Sequence, residues 1–479
     1  MGNSPYTAPI HTLDDDSLIH IFYLYRPFLL GEDESETSRL FGGTGNWDRG
    51  RWWYKLAQVC QRWRNVILGS APYLGVSLAC TYGMPVADML AHSPPLSLVI
   101  DYTSRHRITT EDEEGVILAL RQRDRVRRVR LGMPLIDLQK LFAAMDEEYP
   151  VLEYLIIMPP PEDKSAILML PERLQAPRLR HLTLENLALP MESRLLTTSV
   201  GLVTLFLPMN DPSTYFHPNS LLHWLSLMPQ LETLAIYAIP DREMERQLMH
   251  MPITTPVTLP NLRHFKFSGV STDLEAFVHR IITPRLERLD IIFFNRLMFS
   301  VPRLVQFIHT LNTTENFRLD SAKFAFNSKG VCVDVYPAGE AETYALSMRV
   351  LYQHLDWQVS IVAQIFNSLN QMFSAVEHLA LEHEVHSQSS EEHNAVDRTE
   401  WRKLLRPFRS VKTLHIGNGL VEQLSRSLES KDGEFPLELP ELLELTYSGD
   451  GNTGDAFIPF INARRNTGRP VALVLDQDM

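Results

Sequence analysis

The sequence predicts an α/β chain: a small all-helical module at the front, then a long array of parallel strands alternating with helices. Three observations predict it. Two amphipathic stretches lie within the segment from Thr12 to Leu74. A six-residue pattern, apolar-x-x-apolar-x-apolar, returns along most of the remaining chain, and apolar stripes at helical spacing separate its copies. Strands that alternate with helices on short loops run parallel, because a crossover must carry the chain back before the next strand begins.

The first amphipathic stretch is TLDDDSLIHIFYLY, Thr12 to Tyr25. Leu18, Ile21, Phe22 and Tyr25 recur at helical spacing, and Asp14, Asp15 and Asp16 load the opening turn where the helix dipole favours negative charge. Acids, serines and glycines dominate residues 26–50, which read as an inserted surface loop. The second stretch is GRWWYKLAQVCQRWRNVILGSAPYL, Gly50 to Leu74. Trp52, Leu56, Val59, Trp63 and Ile67 fall at three- and four-residue steps, as on one face of a single helix. Gly69 is placed to stop that helix, and Pro72 lies beyond its end.

Leucine plus acids, then "IF", then "VCQRWR", then "PYL" resembles the F-box, a short helical module. The likeness is greatest to a set of fungal F-box proteins in which a tryptophan-rich helix follows an inserted loop. It covers Thr12 to about Leu78, with Asp14 where proline is usual and Gly75 where tryptophan is usual. The resemblance implies an all-α module over residues 8–78 that binds the S-phase-kinase-associated linker subunit, and through it the cullin, of an SCF ubiquitin ligase. Leu13, Leu18, Ile21, Phe22, Leu56, Val59, Cys60, Trp63 and Ile67 match its apolar positions. Some of these face the linker subunit and others the module's own core.

Residues 79–125 read as a connector, with Leu96, Leu98 and Ile100 alternating as in a strand. The repeat then begins as VRRVRL at Val126 and continues as LEYLII at Leu152, LRHLTL at Leu179, LVTLFL at Leu202, LETLAI at Leu231, LRHFKF at Leu262 and LERLDI at Leu286. A degenerate TENFRL follows at Thr314, and VEHLAL, VKTLHI and LLELTY appear at Val376, Val411 and Leu442. Most steps lie in or near the ~20–29-residue period of leucine-rich repeats, without the regular asparagine. The expectation is an irregular leucine-rich-repeat-like horseshoe over residues 126–479, its units folding as a set because none can bury its apolar face alone.

Helical stripes fall between the repeats: Leu135 to Met145, Leu221 to Met228, Leu274 to Ile281, Leu304 to Leu311 and Val362 to Phe373. The longest step, from Phe317 to Leu379, holds an insertion at about residues 321–350. There Phe324 and Phe326 alternate, Asn327 to Gly330 turn, and Val331, Val333 and Val335 alternate again, which predicts a β-hairpin. Leu346 and Met348 predict one more strand, and LDWQVS from Leu355 a helix in the manner of the same fungal group.

The totals narrow the function. A net charge of −13 argues against a general nucleic-acid binder, which needs cationic surface. Three widely spaced cysteines do not make a disulfide framework, no secretory leader opens MGNSPYTAP, and no apolar run reaches bilayer length. A cytoplasmic or nuclear protein without membrane contact is expected. GDGNTG, Gly449 to Gly454, has the local context of a dinucleotide loop, but the strands before it belong to the repeat, so an ordinary strand-to-helix turn is the reading. His378, His383, His386 and His393 sit among glutamates in a polar stretch that reads as a solvated loop. There is no GxSxG elbow, P-loop or HExxH, so neither an enzyme nor a cofactor is expected.

The resemblance and the repeat together lead to a substrate-receptor subunit. Contact with a protein substrate is expected beside the strand anchors, at Arg128, Arg130, His181, Thr183, Phe206, Tyr237, Lys266, Asp290, Arg318 and His415. The alternative is a repeat scaffold independent of any ligase, its front helices packing only against its own array.

Overall fold

The computed structural model describes residues 13–25, 52–104, 106–160, 168–185, 187–189, 193–209, 218–238, 256–294, 301–312, 319–337, 343–383, 396–429, 439–449 and 453–476. The expected loop over 26–50, the TENFRL unit through Arg318, and His386 and His393 lie outside them. The fold is α/β, with mostly parallel strands, and divides into two compact units. The first runs through Leu184 and takes in Glu192–Ser199; the second holds Glu185–Met191 and everything from Val200. No helix among the described residues is long and apolar enough to cross a membrane.

Among the described residues the first unit opens with α1 (Asp15–Tyr25), α2 (Trp52–Ala57), α3 (Gln61–Gly69) and α4 (Ala71–Leu74). The single helix expected from Trp52 to Ile67 is two. Cys60 is extended (φ −160°, ψ 168°) and heads α3, so Val59 leaves the buried face and is 60% exposed. The break is sealed by Arg64, whose Nε donates to the Ala57 carbonyl at 3.1 Å. Asp14 and Gly75 each have a local role. The Asp14 carboxylate accepts the Ser17 N–H at 2.7 Å, capping α1, and Gly75 closes α4 in the left-handed region (φ 66°). Leu18, Phe22 and Ile67 are sealed inside, with the Phe22 and Trp63 rings edge-on at 5.0 Å.

Among the described residues a parallel sheet follows in the order β1 (Ser77–Cys80), β2 (Ser97–Thr103), β3 (Val126–Gly132), β4 (Tyr154–Ile157) and β5 (His181–Leu184). Parallel pairing therefore starts at Ser77, within the residues read as module and connector. Ile100, Val129, Leu155 and Leu182 lie in register and are buried, as the repeat pattern requires. Between strands lie α5 (Val86–His92), α6 (Thr110–Leu120) and α7 (Leu135–Met145), α5 packing on α6 and α6 on α7. Thr109 starts α6 by accepting the Asp112 N–H at 3.1 Å. Trp53, buried, donates its indole N–H to Ser77 O at 3.2 Å and so ties α2 to the first strand.

The second unit contains β6 (Thr204–Met209), β7 (Thr233–Ala238), β8 (His264–Gly269), β9 (Arg288–Phe293), β10 (Leu319–Asn327), β11 (Gly330–Pro337), β12 (Leu346–Val350), β13 (His378–His383), β14 (Thr413–Ile416), β15 (Glu444–Ser448) and β16 (Ala472–Asp476). Sheet order is β6-β7-β8-β9-β12-β11-β10-β13-β14-β15-β16. The expected hairpin, β10–β11, is present. It is built into the sheet: β12 pairs parallel with β9, β10 parallel with β13, and β11 runs antiparallel to both its neighbours. The turn holds because the Asn327 side chain accepts the N–H groups of Lys329 and Gly330, while the buried Gln358 donates to Asn327 O and Tyr352 O.

Phe324, Phe326, Val331, Val333, Val335, Leu346 and Met348 point inward, against α12 (Leu355–Ser368) and α14 (Arg398–Leu405); here α8 to α14 count the helices from Arg194–Thr198 through Pro218–Ser226, Ser271–Val278, Pro302–Asn312, Leu355–Ser368, Asn370–Phe373 and Arg398–Leu405. Phe324 meets Phe366 at 5.2 Å and Phe408 at 5.8 Å, and Phe326 meets Trp401 at 5.6 Å. Two expected helical stripes overrun their helices: Met228 lies beyond Pro218–Ser226, and Ile281 belongs to a short strand pairing with Val257–Thr258. Both remain buried, which is why spacing alone extended the helices too far.

A Cβ on Gly330 would strike the Val350 carbonyl where β11 meets β12. Gly330→Ala should lower stability by about 1–3 kcal/mol in urea unfolding through overpacking. Phe366→Ala, which empties a fully buried site, should cost about 3–5 kcal/mol by the same measurement.

Candidate interaction surfaces

On the helical module, burial separates the residues picked by resemblance. Leu18, Phe22 and Ile67 form its core; Leu13, Leu56, Cys60 and Trp63 are half-buried; Ile21 and Val59 are exposed. Ile21, Leu24 and Tyr25 share one side of α1, since positions three and four apart are neighbours on a helix, and they are 41, 70 and 58% exposed. Leu24 was not picked from the sequence because it lies off the stripe defined by Leu18 and Phe22. The core beneath is stiffened by Arg62, which donates to the Asp15 carboxylate at 2.7 Å and also reaches Leu13 O. Tyr73, also exposed, packs beside Tyr23 with centroids 5.5 Å apart.

The second surface is the face of the strands opposite their buried anchors. In the first unit Arg128, Tyr154 and His181 lie in register across three strands. The Arg128 guanidinium sits 4.2 Å above the Tyr154 ring, which stacks on His181 at 4.3 Å and 10°. The next row holds Arg130 beside Asp101, with Ile156 and Thr183 following. Arg130 approaches Asp101 at 3.8 Å and Thr103 Oγ1 donates to its Oδ1 at 3.1 Å, yet burial pushes the Asp101 carboxyl up to about 6.

In the second unit Phe206, Lys266 and Asp290 share a row that continues through Ser347 to Asp334. The expectation of an open binding face fails at two of its residues: Phe206 and Asp290 are buried, Phe206 with its ring edge-on to Tyr237 at 5.3 Å. Neighbouring side chains on a sheet face stand close enough to cover a short or central one. Tyr237 and Lys266 remain half-exposed, with Lys266 Nζ 5.7 Å from the Tyr237 ring. His415 lies farther along, its Nδ1 3.7 Å from the Asp476 carboxylate. Ser347 donates to Asp334 at 2.6 Å, and Lys323 pairs with Glu382 at 2.8 Å.

This face has the makings of a recognition surface: aromatic rings, alternating charges and half-buried hydroxyls. Burial pushes the Cys80 thiol up to about 11 and raises that of Cys332, which keeps both protonated and poor as nucleophiles. Gly449 ends the described residues after β15, 450–452 lie outside them, and Gly454 sits in a 3-10 turn (Thr453–Phe457) leading into the helix Ile458–Asn466. That last glycine is explained by packing, since a Cβ on Gly454 would enter the Tyr447 ring.

The raised Asp101 carboxyl makes a signed prediction. Between about pH 4 and pH 6 the native carboxyl keeps a proton that the unfolded chain releases, so its contribution to stability falls as pH rises through that window. The stability difference between wild type and Asp101→Asn should shift in favour of the variant across those pH values, by at most about 3 kcal/mol, in urea titrations at fixed pH.

No family model matches the chain, and no curated protein matches it.

Proposed function

We propose that the chain is a substrate-receptor subunit of an SCF-type ubiquitin ligase, the front helices binding the linker subunit and the strand array binding a protein substrate. The observation that carries the reading is the two-sidedness of α1. Leu18 and Phe22 complete the module's own core, and yet Ile21, Leu24 and Tyr25 remain outside as an apolar strip. A helix with one face satisfied and a second apolar face in water is suited to docking in a partner's groove. The half-exposed row of Arg128, Tyr154 and His181 supports substrate binding by the array, in the irregular leucine-rich-repeat manner that the sequence period implies. The receptor itself does no bond chemistry in this reading. It raises the substrate's effective concentration near a separate conjugating enzyme.

The burial pattern selects the variants. Ile21→Asp combined with Leu24→Asp should abolish capture of the linker subunit and cullin by the full chain while leaving the unfolding transition within about 0.5 kcal/mol of wild type. Leu18→Asp should instead destabilise the module itself, because it buries an unpaired charge. Absence of linker subunit from the wild-type pull-down would leave the ligase-independent scaffold as the reading.

A further inference from the structure

The histidine cluster read from the sequence as a solvated loop contains one residue that the fold places among other ligand types. His378 opens β13, Glu377 precedes it, and Asp320 lies at the start of β10, the neighbouring strand. One ligand atom from each of the three side chains lies within 4.8 Å of the others. We propose that Asp320, Glu377 and His378 form a binding site for a borderline divalent transition ion of the Zn²⁺ or Co²⁺ kind.

Four features carry this. The backbone fixes the spacing, because Glu377 N–H donates to Asp320 O at 2.8 Å where the hairpin strand joins the parallel array. The imidazole is oriented from behind: Nδ1 lies 2.7 Å from Thr413 Oγ1 on the third strand, which leaves Nε2 facing the Asp320 carboxylate at 4.0 Å. An outer partner on the second ring nitrogen is what metal-ligating histidines use to set tautomer and ring angle. The donor set, one imidazole and two carboxylates, selects against Mg²⁺ and Ca²⁺, which take oxygen ligands in larger number.

The fourth feature is the charge already seated there. Lys412 Nζ lies 2.6 Å from Glu377 Oε2, so this carboxylate already holds a cation. A dication would displace that ammonium from Glu377 and gain both carboxylates at once. The three side chains are each a third to a half exposed, so the ligand atoms have room to close from 4.8 Å to the separations of a bound ion, with water completing the coordination. The ion would clip β10 to β13 at the seam between the inserted hairpin and the parallel strands.

The test is titration of the full chain, cleared of metal with chelator, with Zn²⁺ by calorimetry and with Co²⁺ by visible absorption. Wild type should bind one ion with a Co²⁺ d–d spectrum, and Zn²⁺ should raise Tm by a few degrees. His378→Ala and Asp320→Asn should each abolish both signals while keeping the metal-free Tm, since both side chains are on the surface. Thr413→Val should weaken affinity about tenfold by freeing the ring, and Lys412→Met should strengthen it. No heat or spectrum from wild type, or binding unchanged in His378→Ala and Asp320→Asn, overturns the site.

Discussion

The constraint on which the structure rests is that no strand-helix unit here can cover its own apolar face. Each buried anchor has neighbours of its own kind above and below: Ile100, Val129, Leu155 and Leu182 in the first unit, Leu205, Leu234, Phe265 and Leu289 in the second. Register and burial are then one requirement. A one-residue slip would turn every anchor to the solvent face and bring Arg128 or Lys266 into the core, at a cost no local contact offsets.

The inserted hairpin obeys the same constraint by another route. Between β9 and β13 the sheet holds three more strands, entered from β9 through the helix Pro302–Asn312. The chain fills the gap with β12, β11 and β10, whose inward residues continue the apolar layer with Phe324, Phe326, Val333 and Met348. Antiparallel β11 lets two parallel stretches face each other across it without an open edge between them, which is the hazard an interrupted sheet would otherwise carry.

The first helix of the front module carries apolar residues on two sides, one covered and one not. Seven residues separate Leu18 from Tyr25, about two turns, and within them the buried pair Leu18 and Phe22 is flanked by Ile21, Leu24 and Tyr25 in water. Polar contacts at the module's rim complete it, where Asp14 caps the helix and Arg62 reaches its first turn.

Periodicity made the strands, most helices and the hairpin legible, because a buried face must recur every two residues in a strand and about every 3.6 in a helix. It determined nothing about the break at Cys60, where both halves of the stretch keep apolar spacing and only the extended backbone, sealed by Arg64, divides them. The candidate surfaces were legible as positions and not as exposures: Ile21 and Phe22 look alike in the chain, and so do Phe206 and Tyr237, until neighbours distant in sequence cover one and leave the other. The meeting of Asp320 with His378 is likewise a product of strand pairing across the hairpin. Sequence by itself decided which faces are apolar; tertiary structure alone decided which of those faces are already covered, since covering is a property of pairs of segments that no local pattern records.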